Sequence, residues 1–228
     1  MIFRQLFDEK TWTYSYLIAD KEGAEAVIID PVLESVDGYV QLIKELGLKL
    51  VFSLDTHVHA DHITGADALR EHTQCAVVLG QETKAEFVDR FVKEGDKIKV
   101  GSQVIEAIYT PGHTADSYSF LMKDRVFTGD TLLIRSTGRT DFQNGSADQQ
   151  YDSIFNKLLK LPEETFVYPA HDYKGWHVST ISEEKRFNPR LQVSSKQAYI
   201  DQMNSLKLAN PKYMDVAVPA NLNCGRMK

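Results

Sequence analysis

The sequence predicts an α/β (α+β) fold, with β-sheets covered by outer helices. Three observations predict it: short apolar strand-like runs recur along the chain, a helical pattern crosses over between two of them, and no Pro/Gly-rich linker divides them. The chain has 228 residues, enough for one large domain. We expect a single domain over 1–228, with a short C-terminal extension from about 176 to 228 packed on it.

Two strands are expected first, at 14–19 and in the buried-looking Ala26-Val-Ile-Ile-Asp30, with a Lys-Glu-Gly turn between them. Pro31 breaks the second strand. Val36, Val40, Ile43 and Leu46 then follow helical spacing until Gly47. A short apolar strand at 49–54 runs directly into Asp55-Thr-His-Val-His-Ala-Asp-His62. After a helix near 64–73, strands are expected at 76–79, 97–100, 103–109, 118–122 and 125–127. A helix near 148–160 leads to a strand at 165–168. The last third reads as two helices and an apolar stretch around Val216, with one strand contributed to the body of the fold.

Hydrophobic residues make up 43% and charged residues 25%, which excludes a disordered chain. A net charge of −6 gives no footprint for nucleic-acid backbones. No run approaches the ~18 apolar residues of a membrane span, so no membrane partner is expected. The only cysteines, Cys75 and Cys224, suit a reducing compartment. With no apolar signal core or Arg-rich presequence at the N-terminus, the expected location is cytoplasmic.

Chemistry gathers where strands end. The run 49–54 ends in Thr56-His57-Val58-His59-Ala60-Asp61-His62, and 103–109 ends in Thr110-Pro-Gly-His113-Thr114. The run 125–127 ends in Thr128-Gly-Asp130, and 165–168 ends in Pro169-Ala-His171-Asp172. Loops at strand ends of layered α/β folds converge on one cleft. A lone histidine there would be a solvated loop residue. With seven His in the chain, however, chance yields an H-x-H-x-D-H sextet on the order of once in two thousand such chains. Imidazoles and carboxylates facing one cleft would also lose hydration without compensation unless a cation joined them. A metal site is expected.

T-H-V-H-A-D-H, P-G-H-T, T-G-D and P-A-H-D, in this order, resemble the metallo-β-lactamase superfamily. The resemblance implies an αββα sandwich: two facing mixed sheets, helices outside and metal at one edge. It also implies two alternative ligand sets. One is dinuclear, with His57, His59 and His113 on one ion, Asp61, His62 and His171 on the other, and Asp130 bridging. That set belongs to thioester hydrolases of the glyoxalase II (hydroxyacylglutathione hydrolase) type. The other is a single Fe(II) per chain on His57, His113 and Asp130, a two-His, one-carboxylate set with adjacent open positions. His59, Asp61, His62 and His171 would then orient and tune the first set.

Residues 133–145 read L-I-R-S-T-G-R-T-D-F-Q-N-G. Together with Y-P-A-H-D-Y-K-G at 168–175, N-P-R-L at 188–191 and V-P-A-N-L-N-C-G at 218–225, this run resembles the persulfide dioxygenase family. That resemblance implies oxidation of glutathione persulfide by O2 to sulfite and glutathione, with a homodimer compatible with it. It departs at Thr137, where the animal proteins carry Cys. Only 57 residues follow His171, too few for the fuller helical domain with which glyoxalase II holds glutathione, so the dioxygenase is the favoured reading.

Substrate contacts are expected from Arg139, whose guanidinium can grip a glutathione carboxylate through two parallel bonds. The plain alternative is an ion pair of Arg139 with Asp141 or Asp172. Asp141 is grouped with Arg139 at the substrate. Tyr173 is placed near substrate sulfur, and Asp172 is expected to orient a metal-site histidine. His72 and His177 are expected at the surface, and Trp12 and Trp176 as packing or pocket walls.

Overall fold

The computed structural model describes residues 1–209 and 213–226. Its first half builds one six-stranded sheet: β1 (Ile2–Asp8), β2 (Thr13–Ala19), β3 (Glu25–Ile29), then helix α1 (Val36–Glu45), β4 (Lys49–Leu54), helix α2 (Ala66–Thr73), β5 (Ala76–Gly80) and β6 (Arg90–Val92). The strands lie in sequence order. β1, β2 and β3 pair antiparallel, whereas β3 to β6 run parallel, with α1 and α2 as the crossovers from β3 to β4 and from β4 to β5.

The second sheet holds β7 (Lys97–Val100), β8 (Gln103–Tyr109), β9 (Tyr118–Leu121), β10 (Arg125–Gly129), β11 (Phe166–Pro169) and the two-residue β12 (Ser179–Thr180). Between β10 and β11 runs a helical segment that starts as α3 (Ala147–Tyr151). Helices α4 (Ile181–Phe187), α5 (Lys196–Asn204) and α6 (Met214–Asn221) follow β12. β10 and β11 pair parallel within this otherwise antiparallel sheet. The αββα expectation is met: two mixed sheets face one another with helices outside.

Three buried clusters define the layers. Tyr16, Ile18, Val27 and Leu54 of the first sheet meet Ile105, Phe120 and Phe127 of the second. The outer face of the first sheet buries Leu17, Ile28 and Leu50 against Tyr39 and Ile43 of α1 and Leu69 of α2. The outer face of the second buries Val126 and Val167 against Ile154, Leu158 and Tyr199. Each such side chain contributes about 1.5–3 kcal/mol when fully buried. All seven residues of β2 are buried because that strand is covered on both faces.

Several expectations need correction. β1 went unread because apolar Ile2, Phe3, Leu6 and Phe7 fall on both faces and break the period-two alternation; its register comes instead from pairing with β2, from Ile2↔Ala19 to Asp8↔Thr13. β6 is three residues long and equally silent. The helix expected over 148–160 changes pitch, widening to a π-helix over Asp152–Lys157 and tightening at Leu158–Lys160. The last third holds three helices among the described residues, and Val216 lies in α6. The strand that the extension contributes is β12, paired with β11. Residues 210–212 and 227–228 of the extension lie outside the described residues.

Candidate metal centre

The carboxyl ends of β4, β10 and β11 and the loop after β8 meet at one edge of the sandwich. Tyr118 N donates to Thr56 O at 2.8 Å, joining the two sheets there, and Ala170 N donates to Gly129 O at 2.9 Å. Gly129 has φ +51°, and a Cβ on it would stand 2.7 Å from Thr56 Oγ1. Only glycine lets β10 pass this close to the histidine loop while turning.

His57, His113 and Asp130 each offer a donor atom, and the three lie within 4.8 Å of one another. Their surroundings settle which ring nitrogens carry hydrogen. His113 Nδ1 lies 2.7 Å from Arg139 O, a carbonyl that can only accept, so Nδ1–H donates there and Nε2 is the nitrogen left to face the cluster. That Nε2 stands 3.6 Å from Asp130 Oδ2. Thr56 Oγ1 donates to Asp30 Oδ2 at 3.0 Å and therefore accepts from His57 Nδ1–H at 2.9 Å, again leaving Nε2 free. Two imidazole lone pairs and one carboxylate thus face a common point, and this donor set fits a divalent transition metal.

The neighbouring group is arranged differently. His171 has both ring nitrogens against carboxylates, Nδ1 at 2.6 Å from Asp130 Oδ1 and Nε2 at 2.7 Å from Asp61 Oδ2. Burial opposes charging this ring, but Asp130 and Asp61 more than offset it and hold His171 well above the ordinary imidazole range. The same Asp61 oxygen accepts from His62 Nδ1–H at 2.9 Å. Burial would raise Asp61, yet His171 and His62 hold it well below the usual carboxylate range. Asp130 is likewise lowered against burial, chiefly by His171 and then by His113 and His57. Burial, reinforced by His59 and His113, pushes His57 well down and keeps it neutral. His59 Nε2 faces Asp30 Oδ1 at 3.2 Å. Burial again opposes charge, but Asp30 with Asp61 and Asp55 brings His59 up to about 9. His59 Nδ1 and His62 Nε2 are buried with no hydrogen-bond partner.

Residues 13–171 match the family model described as the metallo-β-lactamase superfamily. The chain is 47% identical to the persulfide dioxygenase ETHE1, mitochondrial, of Mus musculus, over 99% of this chain and 89% of that protein. It is 45% identical to the persulfide dioxygenase ETHE1, mitochondrial, of Homo sapiens over the same shares. The crystal structure of ETHE1 from Myxococcus xanthus superposes with a TM-score of 0.97 at 54% identity, covering 99% of this chain and all of that one. The chain belongs to the persulfide dioxygenase family of the metallo-β-lactamase superfamily.

Within this member of the family, the other expected site residues fall around the edge of the cluster. Arg139 pairs with Asp141 through Nε–Oδ1 at 2.7 Å and a second nitrogen to Oδ2 at 2.8 Å, and it donates to Ala209 O at 2.6 Å. Its guanidinium also lies 4.2 Å over the Phe142 ring. The plain alternative, an ion pair with Asp141, is therefore the arrangement present, and the carbonyl of Arg139 is what orients His113. Tyr173 is 61% exposed and stacks its ring on His171 at 6.2 Å. Asp172 does not orient a histidine. Its Oδ1 accepts from the N–H groups of Lys174 and Trp176 and so shapes the loop after His171. His72 and His177 are exposed, and Trp12 and Trp176 stand half-exposed near Tyr173 and Tyr14.

Three functional neighbours escaped sequence reasoning. Asp30 adopts the left-handed conformation at φ 50°, uncommon outside glycine. From there its carboxylate receives Thr56 N at 2.7 Å, Thr56 Oγ1 and His59. Asp116 Oδ2 accepts Val58 N at 3.0 Å. Asn221, in the last helix, reaches the histidine loop. The one signal in the sequence was an Asp immediately before Pro31, at a strand end.

Proposed function

We propose that the chain is a glutathione-dependent persulfide dioxygenase. It uses one Fe(II) per chain, held by His57, His113 and Asp130, to oxidise glutathione persulfide with O2 to sulfite and glutathione. The observation that carries this reading is the asymmetry of the two groups. His57 and His113 have Nε2 lone pairs free to face Asp130, whereas His171 has both nitrogens committed to carboxylates. The relatives' names supply the substrate class.

Held by these residues, ferrous iron would supply the chemistry that lets a soft sulfur donor react with dioxygen. The protein's own residues do the rest. Arg139 O and Thr56 Oγ1 keep Nδ1–H of the two rings engaged, so that Nε2 cannot turn away. His171, protonated, holds Asp130 Oδ1 and leaves Oδ2 toward His113. Tyr173, stacked on His171, would offer its hydroxyl to the substrate sulfur. The Arg139–Asp141 pair, with its guanidinium also bonded to Ala209 O, would form a wall for the glutathione moiety.

A second reading is a glyoxalase II-type thioester hydrolase with two metals. The observation favouring it is that His59 Nδ1 and His62 Nε2 are buried and unpartnered, beside Asp61. Oxygen uptake with glutathione persulfide, after anaerobic Fe(II) loading, separates the two. Uptake with sulfite release, absent in Asp130→Ala, is expected. Thioester turnover without oxygen, by a two-metal protein, would replace the first reading with the second.

We read residues 1–228 as one unit, working in the cytoplasm and open to homodimer formation. Cys75 and Cys224 are free and buried, which fits a reducing compartment. The mouse and human relatives are named as mitochondrial. Among the described residues, no helix is long and apolar enough to cross a membrane.

A further inference from the structure

The loop from Thr56 to Gly65 carries His57, His59, Asp61 and His62, yet it contains no helix or strand to hold its shape. Side chains from elsewhere hold it. Asp30 accepts Thr56 N, Asp116 accepts Val58 N, and Gln143 Nε2 donates to Val58 O at 2.6 Å. All three act on the first part of the loop. The second part is held at its far end by backbone bonds from Leu33 N to Ile63 O at 2.9 Å and from Gly65 N to Pro31 O at 2.8 Å, and across the histidines by Asn221, at the end of α6 and only 2% exposed.

The Asn221 amide is used at both ends. Nδ2 donates to His59 O at 2.9 Å and to His62 O at 2.7 Å, and Oδ1 accepts from Thr64 N at 2.9 Å. An amide alone among side chains offers two N–H groups and a carbonyl oxygen in one plane, and this partner set fixes its orientation. The turn after α6 adds to the grip. Cys224 O accepts Asp67 N at 3.1 Å, and Leu222 O accepts Glu86 N at 2.7 Å. Gly225, at φ +80°, approaches Thr64 so closely that a Cβ would sit 2.0 Å from its carbonyl oxygen.

We infer that Asn221 is a positioning residue for the metal centre, making the C-terminal segment a working part of the site. The inference rests on the metal reading above. Its path is continuous: Asn221 fixes the backbone of His59 and His62, Asp61 lies between them, Asp61 holds His171, and His171 holds Asp130. Loosening the amide lets Asp61 and His62 drift, and Asp130 loses the partner that aims its second oxygen. Partners of this kind are worth about 10–100-fold in metal affinity.

The test is a Co(II) titration of the metal-free full chain, followed by the cobalt absorption bands. Asn221→Asp puts an oxygen where two carbonyls need a donor, and Asn221→Ser withdraws the amide in case the first variant does not fold. Ile43→Ala, under α1 in the outer cluster of the first sheet, is the control for lowered stability without contact to the loop. The expected result is about tenfold or more weaker Co(II) binding with altered bands in the Asn221 variants. Ile43→Ala should keep wild-type affinity and spectrum. A folded Asn221 variant with wild-type affinity and spectrum overturns the inference. So does equal weakening in Ile43→Ala, which would make the effect one of stability. A wild-type chain that takes no Co(II) overturns the metal reading together with this one.

Discussion

Two groups of ionisable side chains stand side by side at the sandwich edge, and they differ in what their nitrogens have left to give. In the group of His57, His113 and Asp130, each ring spends Nδ1–H on a protein acceptor and keeps Nε2 free. In the group of Asp61, His62 and His171, one Asp61 oxygen is shared by two rings, and His171 bridges Asp61 to Asp130. Residue types alone do not separate them, since both are built of His and Asp. What separates them is the partner of the second nitrogen: a carbonyl or hydroxyl leaves a neutral ligand, whereas two carboxylates make an imidazolium. We propose that the first group takes the metal cation, while the two carboxylates flanking His171 favour its charged form in the second.

The harshest way to break this comparison is to remove donors from each side. Asp130→Ala or His113→Ala should lower iron binding and persulfide-dependent oxygen uptake by more than about 100-fold, beyond the usual effect of an outer partner. Iron content and oxygen electrode traces check it, and full activity in either variant would remove the proposed ligand set. Next is His171→Gln, expected to weaken metal binding by about 10–100-fold without changing the number of ions bound. Competition with a chelator reads this directly, and a fall from two ions to one would make His171 a ligand.

A smaller effect should appear in the metal-free protein as pH is varied. Burial keeps His57 and His62 neutral in the fold, while the unfolded chain protonates them below the ordinary value of 6.5, so stability rises with pH up to there. Above 6.5 the unfolded chain loses protons that His171 and His59 still hold, His59 up to about 9, so stability falls. The melting temperature should therefore peak near pH 6.5, with slopes of about 1.4 kcal/mol per pH unit for each proton. His171→Gln should flatten the alkaline limb, and a midpoint that keeps climbing to pH 9 would contradict the assignment. The smallest effect is expected at Thr137, whose hydroxyl donates to Met203 Sδ at 3.7 Å. Thr137→Cys should change stability by about 1 kcal/mol or less and leave turnover near wild type; a large gain in turnover would give that position a catalytic role.

Legibility followed locality. The strands that end in the metal motifs were readable because each is a short run with apolar residues, stopped by Asp-Thr-His, Thr-Pro-Gly, Thr-Gly or Pro-Ala-His. The motifs themselves were dense enough to imply a metal and a fold, and the family relation bears that out. β1 was not readable, because an edge strand with apolar residues on both faces takes its register from its neighbour. Nor was the role of Asp30 or Asn221: one depends on a left-handed backbone at a strand end, the other on a contact 162 positions away in sequence. Asp172 was misread because adjacency to His171 suggested a shared task, whereas its carboxylate turns to the N–H groups that follow it.

We propose one iron on His57, His113 and Asp130, with the second group serving as its support. Counting iron per chain after anaerobic Fe(II) loading of wild type, Asp130→Ala and Asp61→Ala tests it most directly. One iron is expected in wild type, none in Asp130→Ala, and one, more weakly held, in Asp61→Ala. Two irons in wild type with one remaining in Asp61→Ala, or iron retained in Asp130→Ala, would contradict it.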